Sequence, residues 1–126
     1  MGNQLIAPSI LSADFSDLKS DIQMLNESEA DWFHIDIMDG VFVPNISFGM
    51  PVLKSINQYA TKTLDVHLMI VNPEKYTEKF AELGSDILTI HYEVSKDTLN
   101  ESLKSIKNNG MKAGVAINPD TDIFVL

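Results

Sequence analysis

Short apolar runs alternate with stretches of helical period along the whole chain, and this alternation limits the fold more than any other feature. Ile6–Leu11 is the first run. Ser and Asp residues in "SADFSDL" then offer caps to a helix expected from Asp14 to Glu27, with Leu18, Ile22 and Leu25 on one face. Trp32–Met38 is the second run, followed by a turn-rich loop, "DGVFVPN", and a helix after Pro51 carrying Leu53, Ile56 and Ala60. Leu64–Ile70 comes third. Asn72-Pro73 reads as a cap followed by proline at the first helical position, and Tyr76, Phe80 and Leu83 recur up to Gly84. Ile87–Tyr92, a helix opened by Asp97 and closed by "NNG", and the run Met111–Asn118 complete the series, with "PDTD" offering a cap to a further helix. Strands alternating with helices specify parallel βαβ units with right-handed crossovers.

Two α/β architectures share that order. A doubly wound sheet has helices on both faces and apolar side chains on both; a barrel has helices outside and functional groups inside, at the C-terminal strand ends. Strand side chains alternate between faces, so the sequence decides. Phe33, Ile35 and Ile37 share one face of the second run, and His34, Asp36 and Met38 the other. Val66, Leu68 and Ile70 likewise oppose Asp65, His67 and Met69, and Leu88 and Ile90 oppose Thr89 and His91. One face is apolar throughout and the other turns polar. No glycine-rich dinucleotide fingerprint follows the first run. The expected fold class is α/β, a partial (β/α)8 TIM barrel of about five parallel strands and four helices, with residues 1–126 forming one unit.

Charge and composition narrow the partners. A formal net charge of −9 argues against a nucleic-acid backbone, which needs clustered Lys and Arg. An anionic small molecule would need local compensation from a cation or helix N-termini. No apolar stretch reaches membrane length, and no secretory leader pattern opens the chain. The absence of cysteine removes disulfides and thiolate metal sites and fits the cytoplasm.

On this alternation Ser9, His34, Asp36 and His67 converge near the C-terminal ends of three neighbouring strands. Two imidazoles and a carboxylate suit a divalent metal, and Asp36 can also serve as a base. Either histidine alone reads as a satisfied interior residue; both together, in register around an inward aspartate, favour a site. His91 is also inward, with Thr89 or Glu93 as its expected partner. Met38 and Met69 fill core by default, or wall a reacting carbon beyond the ligands. Asp39-Gly40 reads as a turn with Gly40 at positive φ, and residues 43–49 as a loop that can cover the site.

These same segments carry a resemblance. "APSILSADF" at 7–15, "HIDIMDGVFVPNISFG" at 34–49, "DVHLMI" at 65–70 with "NPEKY" after it, and "GMKAGVAINPDT" at 110–121 resemble the ribulose-phosphate 3-epimerases. Related hexulose-6-phosphate 3-epimerases are similar over the same stretches. An orotidine-phosphate decarboxylase relative fits less well, because "HIDIMD" stands where its Asp-x-Lys strand would be.

The resemblance implies a (β/α)8 enzyme that interconverts D-ribulose 5-phosphate and D-xylulose 5-phosphate by proton transfer at C3. It implies a divalent metal, zinc or iron first and manganese or cobalt as alternatives. It makes Asp36 the first acid/base and a metal ligand, and His34 and His67 the metal-ligating histidines. Ser9 becomes a substrate contact, and Met38 and Met69 border the reacting carbons. It assigns the second acid and the phosphate loops to later strands, so this chain is expected to correspond to the N-terminal portion of such a barrel. Open sheet edges are then expected to associate, with a second copy or a separate partner chain. Two alternatives stand beside an epimerase: a metal- or sugar-phosphate-binding barrel fragment without catalysis, and an assembly module that keeps only the fold.

Overall fold

The computed structural model describes residues 4–126. Four parallel strands form one sheet in chain order: β1 (Trp32–Met38), β2 (Thr63–Met69), β3 (Ile87–His91) and β4 (Lys112–Ala116). The helices are α1 (Leu18–Glu27), α2 (Met50–Tyr59), α3 (Thr77–Glu82) and α4 (Leu99–Asn108). Each strand pairs with the next one in sequence after a helical crossover, which is the repeating unit of a (β/α) barrel.

The first apolar run lies along β1 without becoming a regular strand. The carbonyl of Ile6 accepts from the amides of Asp31 and Trp32, and that of Pro8 from His34. A single parallel bridge joins Ser9 to His34. Pro8 has no N–H to give a ladder, and a 3₁₀ turn, Ile10–Ser12, ends the pairing.

Other boundaries shift for local reasons. The helix expected from Asp14 begins at Leu18, because the Asp14 carboxylate closes a turn on the Ser16 amide and hydroxyl at 2.9 and 2.6 Å. Asn72 is not a side-chain cap. It sits in the left-handed region at φ 52°, which asparagine tolerates better than most residues. A 3₁₀ turn, Pro73–Tyr76, precedes α3. At 119–122 the expected cap is made by Asp122, which accepts from the Phe124 amide, but it opens only a 3₁₀ turn, Ile123–Val125.

The sheet's two faces differ as the alternation requires. Phe33, Ile35, Leu64, Val66, Leu68, Leu88 and Ile90 are buried beneath Ile22, Leu53, Ile56, Phe80 and Ile106 from the helices. Each such side chain contributes about 1.5–3 kcal/mol on burial. A one-residue slip of β1 or β2 would exchange these groups for His34, Asp36, Asp65 and His67 under the helical layer. That cost exceeds any single hydrogen bond, so apolar burial fixes which face the polar groups occupy. Lys62 ties the layers together: its ammonium donates to the carbonyls of Leu25, Ser28 and Ala30, which lie at and just past the C-terminal end of α1.

Candidate active site

The face away from the helices carries a connected set of polar side chains. Register places Asp36 beside His67, His67 beside Thr89, and Thr89 beside Gly114. A side chain at position 114 would fall on the Thr89 hydroxyl, so glycine is the residue this crowded row admits. Asp36 is the junction. One carboxylate oxygen accepts from the Ser9 hydroxyl at 2.5 Å. The other lies 3.0 Å from His34 Nε2 and 3.1 Å from His67 Nδ1. Ser9 reaches this point because its segment is held against β1 by the bridge to His34.

Two arms leave the junction. The short arm is His34, whose Nδ1 lies 2.8 Å from Asp65 Oδ2 on β2. The long arm is His67, whose Nε2 faces Nε2 of His91 at 2.8 Å. The two rings lie within 21° of parallel, with centroids 5.0 Å apart. His91 Nδ1 meets Glu93 Oε2 at 3.1 Å, and Glu93 Oε1 accepts from the Asn118 amide at 2.5 Å and the Thr121 hydroxyl at 2.6 Å. Phe42, in the loop after β1, packs its ring 4.8 Å from that of His91.

Loops after β1 and β2 are tied to the same end of the sheet. The Ser47 hydroxyl donates to the Asp36 carbonyl and accepts from the Met38 amide, taking the place of a ladder partner. Asp39 accepts from the amides of Val41 and Phe42 with one oxygen and of Val71 with the other. Gly40 has the expected positive φ, 73°.

The electrostatics follow from these contacts. Burial pushes the Asp36 carboxyl upward, but the hydrogen bonds from His34, His67 and Ser9 outweigh it and hold the group well below the usual carboxylate range. His34 lies between the carboxylates of Asp36 and Asp65 and is pushed up to about 10. Burial pushes His91 below the ordinary imidazole value despite Glu93. Burial also opposes ionisation of Glu93, yet Thr121, Asn118 and His91 bring its carboxyl down to about 2.

His34, Asp36 and His67 each offer a ligand atom, all within 4.8 Å of one another. The Asp65 carboxylate accepts from His34 Nδ1, which leaves Nε2 facing the junction; His67 presents Nδ1 there. Two imidazole nitrogens and a carboxylate oxygen, converging from two adjacent strands, make a donor set that could hold a divalent ion.

The sequence profile of the "Ribulose-phosphate 3 epimerase family" matches residues 5–126. The chain belongs to the ribulose-phosphate 3-epimerase family. A ribulose-phosphate 3-epimerase of Synechocystis sp. is 50% identical over 98% of this chain and 54% of its own length. One of Bacillus subtilis is 45% identical over 96% of this chain and 55% of its own. The chain therefore spans about half the length of the curated relatives it matches. Among solved structures, an orotidine 5'-monophosphate decarboxylase from Methanocaldococcus jannaschii superposes with a TM-score of 0.64 over 90% of this chain and 52% of that one, at 14% identity. That likeness concerns the fold, which is the TIM-barrel class of the epimerase family.

Of the residues singled out by the sequence, Ser9, His34, Asp36 and His67 are in mutual contact. Met38 and Met69 are register partners two positions further along β1 and β2 and are half-buried. Met38 also lines an apolar cavity of about 260 Å³ between α2 and the Pro73–Tyr76 turn, with Ile37, Met50, Ile70 and Phe80. None of Ser9, His34, Asp36 or His67 borders that cavity. Asp65 was legible as an inward residue but not as a partner of His34. Glu93 was expected as one of two partners for His91, and it is the one that meets the ring. Asn118 and Thr121 had no signal, because they reach Glu93 from a loop.

Proposed function

We propose that this chain carries the metal-and-base half of a ribulose-phosphate 3-epimerase site, acting in the interconversion of D-ribulose 5-phosphate and D-xylulose 5-phosphate. The observation that supports this most is the junction itself: one carboxylate, Asp36, shared by Ser9, His34 and His67. Asp36 removes the proton from C3 of the sugar and returns it. Its strong acidity without substrate suits a ligand, and desolvation by bound sugar would raise its basicity. Ser9 holds the carboxylate's second oxygen and contacts substrate. Met38 and Met69 supply an apolar wall beside the reacting carbons, which limits exchange with bulk water. His34, Asp36 and His67 would hold a divalent ion, zinc or iron before manganese or cobalt, and that ion supplies positive charge beside the substrate oxygens.

The test follows deuterium entry at C3 by NMR when the chain is incubated with zinc and D-ribulose 5-phosphate in D₂O. Wash-in is expected, and it is expected to vanish in Asp36→Asn. No wash-in alongside measurable zinc binding would favour a metal-binding barrel unit without catalysis. Wash-in that survives Asp36→Asn would remove Asp36 from its role. Repeating the assay with a hexulose 6-phosphate separates the related epimerase specificity.

The remaining proposals concern setting. The cysteine-free composition fits a cytoplasmic location. Among the described residues β4 pairs only with β3, and such an edge favours pairing with a second copy. Size-exclusion chromatography showing a monomer across a wide concentration range would count against that partner.

A further inference from the structure

From the way the loop after β1 doubles back, we infer that Ser47 is a positioning residue that aims the Asp36 carboxylate by holding the two peptide groups that follow it. The inference rests on the proposal that Asp36 is the base and a ligand, but the contacts need only strand geometry. Successive residues of a strand direct their N–H and C=O to alternate edges. The His34 amide donates to the Pro8 carbonyl, so the backbone groups of Asp36 and Met38 face that same edge of β1. The first segment covers the edge only as far as Ser9, because the turn Ile10–Ser12 carries it away. The Ser47 hydroxyl takes over from there. It donates to the Asp36 carbonyl at 2.8 Å and accepts from the Met38 amide at 3.0 Å. A hydroxyl has one proton and two lone pairs, so a single serine satisfies both groups.

The loop delivers Ser47 to this place by local means. Asp39 and Ile46 form an antiparallel bridge, and the Ser47 amide donates to the Met38 carbonyl at 3.4 Å. Gly40 permits the return. A Cβ at its position would lie 2.7 Å from Cγ1 of Ile46, so a side chain there would push the returning limb off β1. The Asp39 carboxylate holds the outgoing limb through the Val41 and Phe42 amides and fastens it to Val71 after β2. Asp39 clamps the loop, Gly40 lets it close, and Ser47 completes the strand edge.

One hydroxyl thereby holds both the base and the apolar wall beside it. Rotation of the peptide that leaves the Asp36 Cα would swing the Cα–Cβ bond and the carboxylate it carries. That carboxylate meets Ser9, His34 and His67 together, and hydrogen bonds weaken steeply once distance or angle departs from the favoured range. Keeping three partners at once therefore demands a fixed backbone at Asp36. Groups that orient a metal ligand in this way act from outside the ligand set.

Ser47→Ala removes the hydroxyl and Ser47→Thr keeps it. In the metal-free chain at one fixed pH, the ¹³C resonance of the Asp36 side-chain carboxyl reads the hydrogen bonds that group accepts. It should move in Ser47→Ala and return in Ser47→Thr. Zinc affinity, measured by competition with a chromophoric chelator, should fall about tenfold in Ser47→Ala, the low end for groups that support a ligand, and recover in Ser47→Thr. Gly40→Ala, which displaces Ile46 and the limb that carries Ser47, should reproduce the loss. Amide exchange of the unmodified chain gives a reading that depends on no variant: the Met38 N–H should be protected by its bond to Ser47. An unprotected Met38 amide would overturn the inference. So would an unmoved Asp36 resonance in a folded Ser47→Ala, or a loss of zinc affinity that a folded Ser47→Thr fails to restore. Failure of the unmodified chain to bind zinc would instead strike the metal proposal, while the carboxyl resonance and the Met38 amide still decide the role of Ser47.

Discussion

The two arms of the site solve the same problem with different parts. His34 is oriented by one carboxylate on the neighbouring strand, Asp65, whose only side-chain hydrogen bond in the described residues is to that ring. His67 instead meets a second imidazole, that of His91, whose partner Glu93 is held by two donors from the loop after β4. The short arm depends on sheet register alone. The long arm depends on β3, β4 and the loop beyond. The difference teaches that the neighbouring strand alone can place one ring, whereas the other leans on the far end of the sheet.

The largest effect should come from the junction that both arms serve. Asp36→Asn replaces the shared acceptor with an amide that must turn a donor toward either Ser9 or the two histidines. Zinc affinity is expected to fall by more than about 100-fold, beyond the range typical for outer-sphere changes, in a chelator competition assay. A loss under about tenfold would mean that the histidines bind without it.

The next effect separates the arms. Asp65→Ala deletes the only partner of His34 Nδ1, and a loss of about 10–100-fold in zinc affinity is expected. Asp65→Asn should cost less than about tenfold, because nothing pins its amide and the oxygen can still accept from His34. Glu93→Ala, which acts on His91 rather than on a ligand, should cost less than Asp65→Ala. Equal losses in Asp65→Ala and Glu93→Ala would break the distinction between a direct contact to a ligand and one made through a second ring.

The smallest effect concerns pH. In the metal-free chain His34 is raised from 6.5 to about 10 by Asp36 and Asp65. A histidine raised on folding adds stability that is full below about pH 6.5 and is lost as pH climbs toward 10. Thermal melts should therefore decline over that interval, after allowance for other groups. In Asp65→Ala, one of the two carboxylates is gone, so the decline should start at the same pH but be smaller and end at lower pH. Identical profiles for the two proteins would show that Asp65 does not hold the His34 proton.

How much of this was legible depended on where each residue sits. Strand alternation is rigid, so "HID" and "DVH" placed His34, Asp36, Asp65 and His67 on one face before any coordinates. The apolar partners, Phe33, Ile35, Val66 and Leu68, made the opposite face unambiguous because their burial outweighs the polar contacts. Ser9 followed the same alternation even though Pro8 keeps its segment from forming a regular strand. Helix starts were less legible, because Asp14 and Asn72 carry residue types equally suited to turns and caps, and both made turns. The long arm beyond His91 was the least legible. Asn118 and Thr121 act through a backbone amide and a loop hydroxyl, which leave no period in the sequence.

The central claim is that His34 Nε2, an Asp36 carboxylate oxygen and His67 Nδ1 converge on one divalent ion. A crystal of the chain soaked in zinc, with an anomalous difference map at the zinc edge, tests it most directly. The account predicts one strong peak about 2.0–2.2 Å from His34 Nε2, an Asp36 carboxylate oxygen and His67 Nδ1. A peak bonded to His67 Nε2, or seated between His91 and Glu93 instead, would contradict it.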